Sequence, residues 1–375
     1  MSARGFQPPA YPYERLNEAR KLASRHEGGS IDCSIGTPCD PPLEAVIETL
    51  GSSKSERGYP TSAGSPVLRE AVSRWFQRRF AVEVNPEELA ACVGTKEFVA
   101  STAGYLALRN PDRDVVLFPD VSYPTYEMSA TLAGLTPVRV PLERGRLCLE
   151  TIEPDHARRA VMLWSNSPSN PTGYLDDLDA VATWGRAHDV PVFSDECYCE
   201  FTWSRDPETM LSRGLDGVVA VHSLSKRSNL AGLRVGFYAG DPELVGYLRS
   251  VRQHAGLMVP GPAQAAGAIA LDDDEHVVLQ RRRYRHRLEL MATALNEAGM
   301  PCDLPEGGFY LWVRVPEQFD DAWAMTNVLA DVAGLIVSPG EFYGPSAADH
   351  IRIAVVQPDE LIERAATRLK SYQVQ

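Results

Sequence analysis

No run of about 18 apolar residues occurs in the 375-residue chain, and its first twenty residues hold no apolar signal core, so neither a membrane-spanning helix nor a secretory leader is expected. The expected location is the cytoplasm. Basic charge is in deficit: 37 Lys and Arg against 50 Asp and Glu leave a net charge of -13, a field that repels phosphate backbones and anionic lipid surfaces. Neither nucleic acid nor membrane is an expected partner. Seven cysteines, an odd number, argue for reduced thiols rather than a disulfide framework. Cys197 and Cys199, the closest pair, have no second Cys or His cluster nearby, so no metal site is expected. Internal repeats and low-complexity tracts are absent, as are the phosphate-loop patterns G-x-x-x-x-G-K-[ST] and G-x-G-x-x-G.

What is present is ordinary globular material: 44% hydrophobic and 23% charged residues, in a chain long enough for two domains. The first dozen residues, with Pro8, Pro9 and Pro12, read as an extended arm. Strand-like runs at 114–118, 136–140, 160–164, 190–194, 218–222 and 235–239 alternate with helical periods, the pattern of a mostly parallel sheet covered by helices and thus of an α/β fold. Beyond residue 272 the pattern changes to helices at 274–297, 323–333 and 359–370 and strands at 308–315 and 351–356. The expected division is an arm and small-domain segment at 1–39, a large domain at 40–272 and a small α+β domain at 273–375. Arg281, Arg282, Arg283, Arg285 and Arg287 lie in the long helix, whose Val278, Leu279, Tyr284, Leu288 and Met291 supply an apolar face. The arginines therefore read as a solvated basic face rather than a nucleic-acid patch.

Four segments carry chemistry. The run from Ser223 to Arg234 follows an apolar strand and sets Lys226 at its end, where partial desolvation lets an amine lose its proton and attack an aldehyde; the hydroxyls and Arg234 beside it suit a phosphate. A surface Ser/Lys loop is the plain alternative. Asp195 also closes an apolar strand, with Tyr198 three residues on; a carboxylate there can keep a pyridine nitrogen protonated, or simply cap a helix. Asn170 stands in the turn from Asn166 to Gly173, stiffened by two prolines, where its amide faces a ligand or only its own backbone. Gly94, Thr95 and Lys96 precede a helical stretch at 98–108, whose first N–H groups and positive dipole end suit a phosphate.

Asn170-Pro-Thr-Gly173, Asp195-Glu-Cys-Tyr198, Ser223-Leu-Ser-Lys226 and His350-Ile-Arg352-Ile-Ala, in this order and spacing, resemble the class I/II aminotransferases of fold type I, which use pyridoxal 5'-phosphate (PLP). The resemblance runs from Ile35-Gly36 to Arg352. It implies a large domain with a mostly parallel seven-stranded sheet and a smaller α+β C-terminal domain. It makes Lys226 the Schiff-base lysine and proton shuttle, and Asp195 the partner of the pyridine nitrogen. Asn170 and Tyr198 would hold the 3-oxygen and Tyr123 would stack on the ring. Thr95, Lys96 (through its backbone), Ser223 and Arg234 would form the phosphate cup next to Gly94, with Ser225 assisting. Tyr59 would reach the phosphate from the other subunit of a homodimer with a shared active site. Arg352 would clamp the substrate α-carboxylate in a pocket closed by Gly36.

The stretches 93–99, 194–198, 225–232, 252–260 and 339–344 further resemble the actinobacterial succinyldiaminopimelate aminotransferases of lysine biosynthesis. That implies amino-acid and 2-oxo-acid substrates: glutamate and 2-oxoglutarate on one side, the N-succinyl amino-oxoheptanedioate pair on the other. For the group gripping the distal end of the substrate, Lys96, Glu97 and Arg227 are the candidates. Another aminotransferase (aspartate, aromatic or LL-diaminopimelate) or a C–S lyase would use the same scaffold. A non-catalytic effector-binding module is disfavoured by the complete catalytic set and the net charge.

Overall fold

Seven short apolar segments assemble into one sheet in the computed structural model, which describes residues 5–372. In chain order they are β1 (Leu89–Cys92), β2 (Val115–Pro119), β3 (Thr136–Val140), β4 (Ala160–Asn166), β5 (Val192–Asp195), β6 (Val218–Ser223) and β7 (Gly236–Gly240). Their order across the sheet is β1-β7-β6-β5-β4-β2-β3. The pairs from β6 to β3 are parallel, and β7 is antiparallel to both of its neighbours. Val115, Leu117, Leu163, Val192 and Val218 pack on one face, and Val116, Phe118, Trp164, Phe193 and Val221 on the other. Burial on both faces is why these strands read as continuous apolar runs instead of alternating ones.

The helices that concern the site are α1 (Thr95–Arg109), α2 (Thr125–Ala133) and the single turn α3 (Leu224–Arg227); after them come α4 (Glu275–Glu297), α5 (Ala322–Ala333) and α6 (Asp359–Lys370). The second half of the chain adds a three-stranded antiparallel sheet of β8 (Tyr310–Arg314), β9 (Ser338–Pro339) and β10 (His350–Ala354), with β10 in the middle. Its core takes Leu311, Val313, Ile351 and Ile353 together with Leu288, Met291, Leu329 and Ile362 from the helices. Ile31 and Cys33 join that core, and Ile31–Asp32 pairs in parallel with Leu335–Ile336.

Two expectations need correction. The strand β1, Leu-Ala-Ala-Cys, was not legible in the sequence, because two alanines give it little β propensity and its four buried residues show no alternation. The basic face of α4 is only partly solvated. Arg287 is 1% exposed and is held by both carboxylate oxygens of Asp40, each at 2.7 Å, and by Asp359 at 2.5 Å. Arg281 donates to the backbone carbonyls of Glu200 and Thr202 and lies over Trp203. Arg282 and Arg283 stay exposed, and so do Val278 and Leu279, while Val277 turns inward with Tyr284, Leu288 and Met291. Tyr284, Leu288 and Met291 thus form the apolar face as read in the sequence, and only the first turn departs from it, with Val277 inward in place of Val278 and Leu279.

Candidate active site

Parallel strands deliver the residues that follow their C-terminal ends to one edge of the sheet, where open α/β folds bind ligands. In β4, β5 and β6 those ends are Asn166, Asp195 and Ser223, kept level by the pairing of Asn166 with Asp195 and of Asp195 with Val221. Above them opens a cavity of about 260 Å³ between the large sheet and the three-stranded one. Gly36, Thr95, Lys96, Tyr123, Asn170, Asp195, Tyr198, Ser223, Ser225, Lys226, Arg234 and Arg352 all line it. Gly94 stands immediately before Thr95 as the N-cap of α1. Tyr59 does not line the cavity; its side chain is 99% exposed.

Lys226 leaves β6 through the turn α3, which Ser223 caps by accepting the Ser225 N–H at 3.1 Å. Its ammonium donates to the Gly36 carbonyl, and burial, helped by the positive Arg352 and Arg234, lowers its pKa from 10.5 to about 8. Asp195 is 6% exposed and has no cation bonded to it among the described residues; its carboxylate accepts from the Tyr126 hydroxyl at 2.8 Å and the Cys197 N–H at 3.2 Å. Burial raises its pKa despite these bonds, so the site would gain by bringing it a cationic donor. Tyr123 meets Tyr126 edge-on, with ring centres 6.0 Å apart.

Arg352, on β10, is 2% exposed. Its guanidinium donates to Asn170 Oδ1 at 2.7 Å and to the Ser34 carbonyl at 2.6 Å, and lies over the rings of Tyr310 (4.2 Å) and Tyr343 (4.8 Å). Its Nε is buried without a partner, an orphan donor that a carboxylate would satisfy. Asn170 is fixed in turn by Asn166, whose Oδ1 accepts the Asn170 N–H at 2.8 Å while its Nδ2 donates to the Asp195 carbonyl, also at 2.8 Å. The Tyr198 hydroxyl lies 2.9 Å from that of Tyr310.

Arg234 has a left-handed backbone with φ 57°, and its guanidinium bonds only the Ala231 carbonyl among the described residues. It faces the start of α1 closely enough that a Cβ on Gly94 would overlap it. A free guanidinium over open helix N–H groups forms an anion seat. Of the three distal candidates only Lys96 lines the cavity, with its ammonium 5.2 Å from the Tyr11 ring centre. Glu97 is held instead by Arg252 at 2.9 and 2.6 Å. Arg227 is buried beneath the site against Glu200 (3.2 Å) and Asp274 (3.1 Å). Both left the cavity because opposite charges elsewhere claim them.

Sequence reasoning passed over Tyr126, Asn166, Tyr310 and the arm residues Tyr11 and Tyr13. Asn166 opens the turn already singled out and Tyr126 lies three residues after Tyr123, whereas nothing local marked the other three. Among the described residues no cluster of three His, Cys, Asp or Glu side chains could hold a metal, and no helix is long and apolar enough to cross a membrane.

Comparison with known proteins agrees with this geometry. The family described as aminotransferase class I and II matches residues 29–369. The chain is 40% identical to the 4-dedimethylamino-4-oxo-anhydrotetracycline transaminase OxyQ of Streptomyces rimosus, over 96% of this chain and 99% of OxyQ. It is 32% identical to the LL-diaminopimelate aminotransferase of Aquifex aeolicus, over 97% of this chain and 96% of the relative. A solved structure from Thermus thermophilus, described as a probable N-succinyldiaminopimelate aminotransferase, superposes with a TM-score of 0.85 at 30% identity, covering 96% of this chain and all of that one.

The cofactor of such enzymes fits the residues present: a buried carboxylate with no cation bonded to it among the described residues, a lysine whose pKa burial lowers, and an arginine at an open helix start. The chain belongs to the class I and II aminotransferases, and is a PLP-dependent transaminase of fold type I.

Proposed function

We propose that this transaminase exchanges an amino group between glutamate and the N-succinyl amino-oxoheptanedioate pair of lysine and diaminopimelate biosynthesis. The observation that carries the reading is the charge census of the cavity. Among the described residues four cations line it, Lys96, Lys226, Arg234 and Arg352, against the single carboxylate of Asp195. Lys226 serves the cofactor's aldehyde carbon, Arg234 its phosphate, and Arg352 the substrate α-carboxylate. Lys96 remains, with no acidic partner among the described residues, as the cation for a second anionic group on the substrate. A dicarboxylic amino acid and its longer succinylated counterpart both supply one.

When bound, PLP supplies the electron-withdrawing ring on which transamination depends. Asp195 is suited to hold a proton on the ring nitrogen, and Tyr126 and the Cys197 N–H keep its carboxylate aimed. Tyr198 and Asn170 are suited to the 3-oxygen, Tyr123 to the ring face, and Gly94, Thr95, the Lys96 backbone, Ser223 and Arg234 to the phosphate. Lys226, whose pKa burial lowers, would serve as the base for the substrate's Cα proton and carry that proton on its ammonium. Arg352 holds the α-carboxylate while Gly36 closes the pocket around it.

A homodimer with a shared site is part of the proposal. An aromatic side chain as exposed as Tyr59 gains a role if it enters the partner's phosphate cup. A cytoplasmic setting and the division at residues 39/40 and 272/273 belong to the same reading. One second reading has an observation behind it: the 40% identity to OxyQ favours a bulky cyclic ketone as amino acceptor.

The test is amino transfer from 15N-labelled glutamate to a panel of acceptors by the PLP-loaded enzyme. Labelled succinyldiaminopimelate as the preferred product supports the proposal. Preference for LL-diaminopimelate chemistry, an aromatic or aspartate keto acid, or a polycyclic ketone replaces the substrate and keeps the enzyme class. Release of pyruvate and ammonia without any acceptor would point to a C–S lyase.

A further inference from the structure

Tyr310 touches both ends of the site, and neither its sequence neighbourhood nor any role assigned above accounts for it. We propose that Tyr310 is a positioning residue that couples the carboxylate clamp to the phenol at the 3-oxygen: its hydroxyl feeds a hydrogen bond into Tyr198, and its ring is the platform on which Arg352 lies. The inference rests on the roles given above to Tyr198 and Arg352.

The backbone makes this contact unavoidable. In the β8–β10 ladder Tyr310 pairs with Ala354 and Trp312 with Arg352, so Tyr310 and Arg352 are diagonal neighbours on one face of the sheet. The guanidinium carbon is 4.2 Å from the Tyr310 ring centre, within cation–π range, and both residues are at most 2% exposed. The far edge of the same ring reaches Tyr198, with the hydroxyls 2.9 Å apart and the rings tilted at 69°. Gly36 allows this reach, because a Cβ there would overlap the Tyr310 hydroxyl.

Proton supply sets the direction of the bond. Each phenol has one O–H, and when Tyr198 gives its own to the cofactor's 3-oxygen, the bond between the phenols requires Tyr310 to be the donor. A phenol that accepts such a bond becomes a stronger donor. The charge on the 3-oxygen is then better held, and the adjacent Lys226 nitrogen releases its proton at a lower pH. The other charged or titratable groups facing the phenol pair are Arg352, Cys197 and Tyr13, with Lys226 and Asp195 lining the same cavity. None of them is altered by replacing Tyr310 with phenylalanine.

The experiment compares PLP-loaded wild type, Tyr310→Phe, Tyr310→Leu and Tyr198→Phe, reading the pH midpoint of the visible absorption band and the affinity for maleate, a dicarboxylate that cannot react. Tyr310→Phe is expected to raise the midpoint by about half to one pH unit and to leave maleate affinity within about twofold, since the ring remains. Tyr310→Leu is expected to raise the midpoint equally and also to weaken maleate about tenfold. Thermal melting separates these effects from loss of fold, and the conservative phenylalanine variant keeps the inference testable if the leucine variant does not fold. A midpoint unchanged in Tyr310→Phe but raised in Tyr198→Phe overturns the inference while keeping the role of Tyr198. A midpoint unmoved in Tyr198→Phe overturns that role and the inference with it.

Discussion

Selective acylation of Lys226 in the cofactor-free protein tests the electrostatics of the site without recourse to turnover. Its amine, with a pKa near 8 instead of 10.5, is about 300 times more often neutral at pH 7 than a solvated lysine, because the neutral fraction rises tenfold for every pH unit by which the pKa falls. The assay is competitive labelling with trace acetic anhydride from pH 6 to 11, followed by mass spectrometry of the peptide bearing each lysine, with the exposed Lys54 as internal standard. Labelling of Lys226, scaled to its own plateau, should climb tenfold per pH unit and level off near pH 8. Removing one of the charges that help to depress it, as in Arg234→Met, should move the midpoint upward. Stability follows the same proton. Between pH 8 and 10.5 the unfolded chain binds a proton that the folded one has released, so the cofactor-free protein gains up to about 3 kcal/mol as pH rises through that window, and Lys226→Met removes the gain. A Lys226 curve that is still climbing at pH 10 would refute the reasoning.

Three further outcomes follow from the contacts. Lys96→Met should weaken glutarate binding by about tenfold and leave butyrate unchanged, measured by displacement of a chromophoric inhibitor, if Lys96 meets the second anionic group. Tyr126→Phe deprives the Asp195 carboxylate of its hydroxyl donor at 2.8 Å and should loosen PLP about tenfold in an equilibrium dialysis series. Arg287→Ala takes the cation from Asp40 and Asp359 and leaves the half-buried Asp40 only the Gln280 amide at 2.7 Å; urea denaturation should show a loss of about 3 kcal/mol, against little change for Arg282→Ala on the solvated side of the helix.

How far the fold was legible follows from the range of the interactions involved. The runs that became β2, β4, β5, β6 and β7 were visible because burial on both faces makes a strand apolar throughout, whereas the edge strand β3 is half exposed and carries its signal in the β-branched Thr136, Val138 and Val140; Asp195 and Lys226 were visible because each closes an apolar run. The four-residue β1 is apolar throughout as well, but it is short and its two alanines give it little β propensity. The antiparallel sense of β7 was equally hidden, since strand direction leaves no mark on composition. On α4 the helical period was clear, yet the charged Arg287 faces inward because Asp40 and Asp359 arrive from distant parts of the chain.

By itself the sequence determined the chemistry available to this protein: an amine at one strand end, a carboxylate at the next, a stiff turn with an asparagine, and an anion seat at a helix start. Those are short-range patterns, written within a dozen residues each. Only the tertiary structure decided which partners meet. The bond from Arg352 to Asn170 spans 182 positions, that from Tyr198 to Tyr310 spans 112, and the pair of Arg287 with Asp40 spans 247. It also kept Lys96 in the cavity and drew Glu97 and Arg227 away to opposite charges. A side chain's chemistry is local, but its neighbours are set by how two sheets close on each other, and no periodicity along the chain encodes that closure.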